Sequence, residues 1–243
     1  MAVIEVTNLK KSFGSKTIHD DITFYVRKGE CLGLVGGSGT GKSVLLRSLI
    51  GLEKSNAGSI KIDNVEVVNF LESQWLEIRK KVGYAFQGGA LFDSMTVFEN
   101  LAYPLKEHTL LNPAQIKSKI FQQLGEFGLI DCDNLYPGEL SGGMQKRVGL
   151  ARAMMLEPEI ILYDEPTAGL DPYNTKKIQD LILRLKAKGV TSILVTHDMP
   201  TAFAVCDKFA FLKDKKIIEQ GTIEQLKNRP DGMINQFIEG QII

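Results

Sequence analysis

The sequence predicts an α/β fold, a sheet of strands alternating with helices, into which a helical segment over residues 88–157 is inserted. Three observations carry that prediction. Short apolar runs of strand length recur between segments of helical spacing. One of them, Cys31–Val35, runs through a glycine-rich turn directly into a helix from Lys42 onward. From Gly88 to about Glu157 the strand patterns cease and helical ones take over.

Residues 2–30 read as strands, the first with Val3, Ile4 and Val6 and the second spanning Ile22–Val26, separated by a turn at Phe13-Gly14-Ser15. After the buried strand Cys31–Val35, Leu45, Leu46, Leu49 and Ile50 give the next helix its apolar face. Beyond Ala57-Gly58, the stretch SIKIDNVEV alternates apolar and polar residues around Asp63-Asn64 and reads as a hairpin. Ser73 to Lys81 is a short helix, and Val82 to Phe86 a strand ending in Gln87. Asn112 before Pro113 is a helix N-cap with proline at the first position. Ile116, Ile120, Leu124 and Phe127 then mark one apolar face. Strand 159–163, helix 172–188 and strands 191–196 and 207–213 complete the alternation. Helix 172–188 is the best signalled: Asp171 as N-cap, Pro172 at its first position, Ile178, Leu181, Ile182 and Leu185 as its face, Gly189 as its stop. The tail from Thr222 to Ile243 suggests two short helices.

Composition narrows the field. The chain has 243 residues, 44% hydrophobic and 24% charged, within the ordinary globular range and long enough for one large domain with a subdomain. Lys+Arg and Asp+Glu are both 29, so no charge surplus favours nucleic acid or an anionic membrane surface. No apolar run approaches the roughly 18–20 residues of a membrane span, and the N-terminus MAVIEVTNLKK lacks a signal-peptide core. The expectation is a cytosolic chain that meets a membrane only through a partner. Cys31, Cys132 and Cys206 form no metal or redox pattern, and Cys31 and Cys206 read as small core residues.

Gly36, Gly41, Lys42 and Ser43 fit the phosphate-loop pattern G-x-x-x-x-G-K-[ST], with Gly37, Ser38, Gly39, Thr40 and Val44 completing the turn and the helix start. Glycines let backbone N–H groups curl around phosphates, and the helix N-terminus adds partial positive charge. Lys42 would reach the β- and γ-phosphates and Ser43 would take a place on Mg²⁺. Ile160–Asp164 is a buried strand whose end presents Asp164 to Mg²⁺ and Glu165 to the attacking water. Thr191–Thr196 ends in His197, on the same sheet edge, where it can contact the γ-phosphate. His19 and His108 have no such setting and read as surface residues. Leu140-Ser141-Gly142-Gly143-Met144-Gln145 opens a helix and is a second anion-binding turn.

The order of these motifs resembles the nucleotide-binding subunit of ABC transporters over essentially the whole chain. Walker A is Gly36–Ser43, the signature Leu140–Gln145, and Walker B Ile160–Asp164 with Glu165 as the family's catalytic glutamate. Ala168-Gly169-Leu170-Asp171 matches the D-loop, His197 the switch histidine and Gln87 the Q-loop glutamine, a further Mg²⁺ ligand. Phe13 stands where the family has an adenine-stacking aromatic, commonly tyrosine, and Met144 where many relatives carry glutamine. The resemblance implies a P-loop NTPase (RecA-like) core with an antiparallel β subdomain and an inserted helical subdomain. It makes residues 1–243 one ABC ATPase domain, with 1–87 and 158–243 as catalytic core and N-terminal β subdomain and 88–157 as helical signature subdomain. It implies ATP and Mg²⁺, and a head-to-tail homodimer in which Ser141, Gly142, Gly143 and Gln145 of one chain complete the ATP site of the other, with Asp171 also at the interface.

The stretch Gln87–Asn100 is where the family meets the coupling helix of a membrane permease, with Phe92, Met95 and Phe98 as anchors. Its wording, with SGGMQKRVGLARAMMLEPEIILYDEPTAGLDP, is similar to the ATPases of Mla-type phospholipid transporters, which work with MCE-domain proteins. That branch implies a place on the cytoplasmic face of the inner membrane, held there by the permease. Some of its members carry a longer C-terminal extension that grips a neighbouring subunit and a small STAS-domain regulator. This chain ends at Phe237–Ile243, which puts such a regulator in question. The rivals are a small-solute importer ATPase with the same catalytic core and a soluble ABC ATPase acting on nucleic acid or ribosomes. The latter usually has a coiled-coil insertion or tandem ATPase domains, absent here, and a nucleic-acid partner is not expected.

Overall fold

A computed structural model describes residues 2–228 and 232–238. A four-stranded antiparallel sheet, ordered β2-β1-β4-β5, is built from β1 (Ala2–Phe13), β2 (Lys16–Arg27), β4 (Ala57–Ile62) and β5 (Val65–Glu66). The Asp63-Asn64 hairpin is present, with both residues at positive φ (50° and 64°), the backbone a tight two-residue turn requires.

The larger sheet has six strands in the order β10-β9-β3-β8-β7-β6. Its parallel members are β3 (Cys31–Val35), β6 (Val82–Ala85), β7 (Ile160–Asp164), β8 (Thr191–Val195) and β9 (Lys208–Lys213). β10 (Lys216–Thr222) pairs antiparallel at the edge. β3, β7 and β8 are buried on both faces, as a covered parallel sheet demands, and alternate residues serve different cores. Leu32, Leu34, Ile160, Leu162 and Ile193 face the small sheet and α1 (Lys42–Leu49), where Ile4, Val6, Ile22, Phe24, Leu45 and Leu49 meet them. Cys31, Val35, Ile161, Tyr163 and Leu194 face the helices.

Between β6 and β7 the chain is helical, as the sequence predicts. α3 (Val97–His108) opens with a Thr96–Glu99 capping box, α4 (Pro113–Glu126) with Asn112 as its cap, and α5 (Gly142–Ala153) with Ser141. Ile116, Ile120, Leu124 and Phe127 are all buried. The remaining helices are α2 (Glu72–Lys81), α6 (Pro172–Ala187), α7 (Met199–Val205), α8 (Ile223–Lys227) and α9 (Met233–Ile238). Asp171 caps α6 through its bond from Asn174 N–H (2.9 Å). α7 and β10 are not among the sequence-based expectations. The part of the tail expectation that covers residues 229–231 and 239–243 lies outside the described residues. Among the described residues no helix is long and apolar enough to cross a membrane.

Because β3, β6, β7 and β8 are parallel, their C-terminal ends open on one edge. The phosphate loop, Gln87, Asp164-Glu165 and His197 follow those four ends in turn.

Candidate functional site

At that edge lies a cleft of about 430 Å³ lined by Ile18, the loop residues Ser38, Gly39, Gly41, Lys42, Ser43 and Val44, and Gln87, Glu165, Val195 and His197. Gly36 and Gly37 are buried behind it, and the Thr40 hydroxyl donates to Gly37 O (2.9 Å). Only glycine fits at Gly36 and Gly41. Their φ values are 151° and 99°, and a Cβ would fall 2.3 Å from Leu212 O at the first and 2.6 Å from Ile18 Cγ2 at the second. Lys42 is buried, its ammonium donating to Gly36 O (2.8 Å) and Gly37 O (2.7 Å). Burial lowers its pKa, while the Glu165 and Asp164 carboxylates oppose the shift.

Asp164 is held by two hydroxyls. Ser43 Oγ donates to Oδ1 (2.7 Å) and Tyr84 Oη to Oδ2 (2.8 Å). Burial, then the Asp164 charge, raises the Tyr84 phenol above its ordinary pKa, so it stays a donor. The sequence reading missed Tyr84; an aromatic in mid-strand reads as core filler. Glu165 lies just past β7 in the left-handed region (φ 51°), which costs a non-glycine residue roughly 1–2 kcal/mol. Its N–H bonds to Val195 O (2.9 Å). Its Oε2 sits 2.9 Å from His197 Nδ1 and accepts from His197 N–H (3.3 Å). The backbone thus turns a carboxylate back over the cleft beside an exposed imidazole.

Other predicted residues lie apart from this cleft. Phe13 stands half-exposed at the β1–β2 turn with Lys11 Nζ 4.2 Å from its ring centre, and it is not among the lining residues. Ser141 and Gly142 are exposed at the start of α5, while Gly143 is buried against Asn174. The Gln145 amide turns inward and donates to Pro137 O (2.8 Å). Asp171 is exposed, its carboxylate bound by Asn174 and its pKa lowered by those bonds.

One sequence expectation is overturned. His19 is not on the surface; it is fully buried, Nε2 3.1 Å from Gly41 O, with Nδ1 unpartnered among the described residues. The cause is a β-bulge. Counting by twos from Ile22 puts residue 20 inside, but Leu9 pairs with Ile22 and Lys10 with Asp20, leaving Asp21 (φ 76°) as an extra residue. The phase inverts and the imidazole lands under the phosphate loop. Burial lowers its pKa to about 4. His108 is exposed, as expected.

A second, apolar groove of about 370 Å³ is lined by Leu52, Tyr84, Phe86, Phe92, Tyr103 and Leu156, among others. Phe92 is 42% exposed there, whereas Phe98 packs against the helical core. Buried Asn100 shapes the loop between β6 and α3, donating to the carbonyls of Phe92, Met95 and Thr96 and accepting from Phe92 N–H.

Comparison with known proteins gives the same picture. Residues 19–168 match the family described as "ABC transporter". The "Probable ribonucleotide transport ATP-binding protein mkl" of Mycobacterium tuberculosis is 43% identical over 241 residues, 99% of this chain and 67% of that protein. The "Intermembrane phospholipid transport system ATP-binding protein MlaF" of Escherichia coli is 38% identical over 239 residues, 98% of this chain and 89% of that protein. Among solved structures, the ATP-binding cassette MJ0796, a post-hydrolysis dimer bound to ADP and Pi, superposes with a TM-score of 0.84. It is 29% identical and covers 90% of this chain and 98% of its own.

Proposed function

The chain belongs to the ABC transporter family and is an ATP-hydrolysing motor subunit, and from that premise we propose that it drives the movement of phospholipid between membranes in a Mla-type system. The observation that carries the catalytic half is the convergence of Lys42, Ser43, Gln87, Glu165 and His197 on one cleft at the strand ends. We assign residues 1–243 to one ABC ATPase domain, with 88–157 as its helical signature subdomain. The phosphate loop, Gly36–Ser43 with Val44, cradles the triphosphate, and Phe13 stacks on the base. Glu165 accepts a proton from the attacking water or orients it. His197, bonded to that carboxylate, reaches the γ-phosphate, and Gln87 watches the same position from just beyond β6.

The residues fit Mg²⁺. Ser43 and Asp164 converge as hard oxygen donors, with Gln87 on the cleft wall. Among the described residues no cluster of three His, Cys, Asp or Glu offers an all-protein cage, in keeping with an ion that takes one or two protein ligands plus phosphate oxygens. When bound, the ion neutralises charge on the β- and γ-phosphates. Ser141, Gly142 and Gly143 then serve the ATP of a second copy in a head-to-tail homodimer, with Gln145 steadying their turn and Asp171 at the interface. The apolar groove with Phe92 receives the permease at the cytoplasmic face of the inner membrane, and an MCE-domain protein is the lipid-binding partner. This reading includes no nucleic acid and assigns no regulator.

Similarity to MlaF over nearly the full chain supports the phospholipid cargo. The relative named for ribonucleotide transport favours a second reading, a small-solute transporter with the same motor. Gentle solubilisation of the tagged chain, with mass spectrometry and a lipid extract, decides between them. A permease with an MCE-domain protein and phospholipid supports the first; a permease with a soluble solute-binding protein replaces it with the second. The catalytic assignment has its own test. Glu165→Gln is expected to lower turnover by at least about a hundredfold while ATP binding persists, and near-wild-type turnover would remove Glu165 from its role.

A further inference from the structure

α5 begins with the signature turn, and two side-chain contacts tie its first turns to the segment that carries Glu165. Nearest the helix start, a Cβ on Gly143 would lie 2.6 Å from Asn174 Oδ1, so this glycine lets α5 close directly onto Asn174, the residue bonded to Asp171. One turn on, Lys146 leaves α5 and reaches the turn after β7. Its ammonium donates a short hydrogen bond to Ala168 O and lies 3.5 Å from Glu165 O. The ammonium is half-buried. Burial lowers its pKa, and the Glu165 charge opposes that shift.

The placement matters because of the turn it caps. Glu165 has positive φ, with Ala168 N–H closing on its carbonyl at 3.2 Å. The carbonyls of residues 165 and 168 converge on the ammonium, and a cation with three donors compensates such a convergence where water is partly excluded. The left-handed backbone at Glu165 sets where its carboxylate points, so whatever steadies the turn steadies the carboxylate. A solvated helix-face lysine would leave Ala168 O to water and Glu165 O with the Ala168 N–H alone.

We propose that Lys146 is a positioning residue for the hydrolytic step, clamping the Glu165–Ala168 turn so that the Glu165 carboxylate is aimed at the cleft. The clamp is anchored on the helix that presents Ser141 and Gly142, so a shift of the signature turn is felt at Glu165 of the same chain. This rests on the reading of Glu165 as the group that handles the attacking water.

The test compares Lys146→Met, which keeps the stem and loses the donors, with Lys146→Arg, which keeps them, on the full chain with its co-purifying subunits. Misplacement by about 1 Å can cost on the order of a hundredfold, and a loosened carboxylate about a tenth of that. Lys146→Met is therefore expected to lower kcat about tenfold with KM for ATP within about twofold. Lys146→Arg should recover most of the loss, and thermal melts should match. Wild-type kcat in Lys146→Met overturns the inference, as does a loss that falls on KM or is not recovered by arginine. If Lys146→Met does not fold, Lys146→Leu, which also lacks donors, is judged on kcat and KM by the same criteria. Glu165→Gln run alongside separates the two readings. An inactive Glu165→Gln beside a fully active Lys146→Met removes the clamp alone, whereas an active Glu165→Gln removes the role on which the clamp depends.

Discussion

The chain holds two glycine-rich turns at helix starts, and they are built in opposite ways. The phosphate loop before α1 is knitted into the protein on every side. Lys42 bonds to the carbonyls of Gly36 and Gly37, Thr40 to the second of these, Ser43 to Asp164, and His19 lies beneath Gly41. The signature turn before α5 is exposed at Ser141 and Gly142, and its one side-chain cap is Met144 N–H to Ser141 Oγ at 3.3 Å. Both present helix N–H groups suited to an anion. In the proposed reading the first surrounds its anion with residues of its own chain, and the second presents donors outward to a charge that another molecule brings. A binding site and a binding surface thus share one local grammar and differ in what the rest of the fold puts behind them.

That contrast gives its largest prediction at Gly142. Nothing lies within 4 Å of the position a Cβ would take, so Gly142→Asp should fold normally. The new carboxylate would face the partner's triphosphate in the proposed dimer, and like-charge contact of this kind costs about 3 kcal/mol, roughly a hundredfold. Turnover is expected to fall by about that factor while the ATP affinity of the single chain, measured by equilibrium binding, stays within about twofold. Equal losses in both would show that the two turns belong to one site within a chain.

The same contrast marks what the sequence made legible. Strand ends were readable because a run such as Ile160–Tyr163 is apolar throughout and then breaks into Asp164-Glu165, a change of character that only a sheet edge explains. The helix caps at Asn112 and Asp171 were readable because capping is local. Residues set by tertiary contact were not. Tyr84 looks like any strand aromatic until β6 is placed beside β7. Lys146 and Arg147 look like a solvated pair, yet the first caps a turn and the second is buried, donating to Gly128 O at 2.8 Å. His19 was hidden by a bulge, which shifts the period without changing the composition. α7 is too short, at seven residues, for periodicity to register, and β10 is an edge strand in which Glu-Gln-Gly masks the alternation.

Tyr84 sharpens the account of the first turn at a middle scale. Tyr84→Phe removes one donor to Asp164 Oδ2 and keeps the ring. A hydrogen bond to a charged group is worth about 1.5 kcal/mol, so the metal concentration needed for half-saturation should rise roughly tenfold. Mn²⁺ titration of the nucleotide-bound chain, followed by electron paramagnetic resonance, reads this without turnover. An unchanged metal affinity would make Tyr84 a packing residue only.

The smallest effect on neutral-pH turnover, and the most selective for the phosphate loop, belongs to His19. Its folded pKa of about 4 lies below the ordinary 6.5, so folding favours the neutral ring. The stability associated with that neutral ring is complete above about pH 6.5. It declines as pH falls toward about 4, because the unfolded chain takes up a proton that the folded chain refuses. The full difference is about 3 kcal/mol, of which about 2 kcal/mol falls between pH 6.5 and 4.5. His19→Gln keeps an N–H able to reach Gly41 O and removes the titration. Urea unfolding across that range should therefore show a wild-type loss steeper than the variant's by about 2 kcal/mol, with the carboxylates common to both cancelling. Parallel curves would mean that the imidazole is protonated in place and that the phosphate loop yields around it. The signature turn, whose contacts include no buried imidazole, offers no counterpart to this signal, which is why the comparison of the two turns can be carried as far as their response to acid.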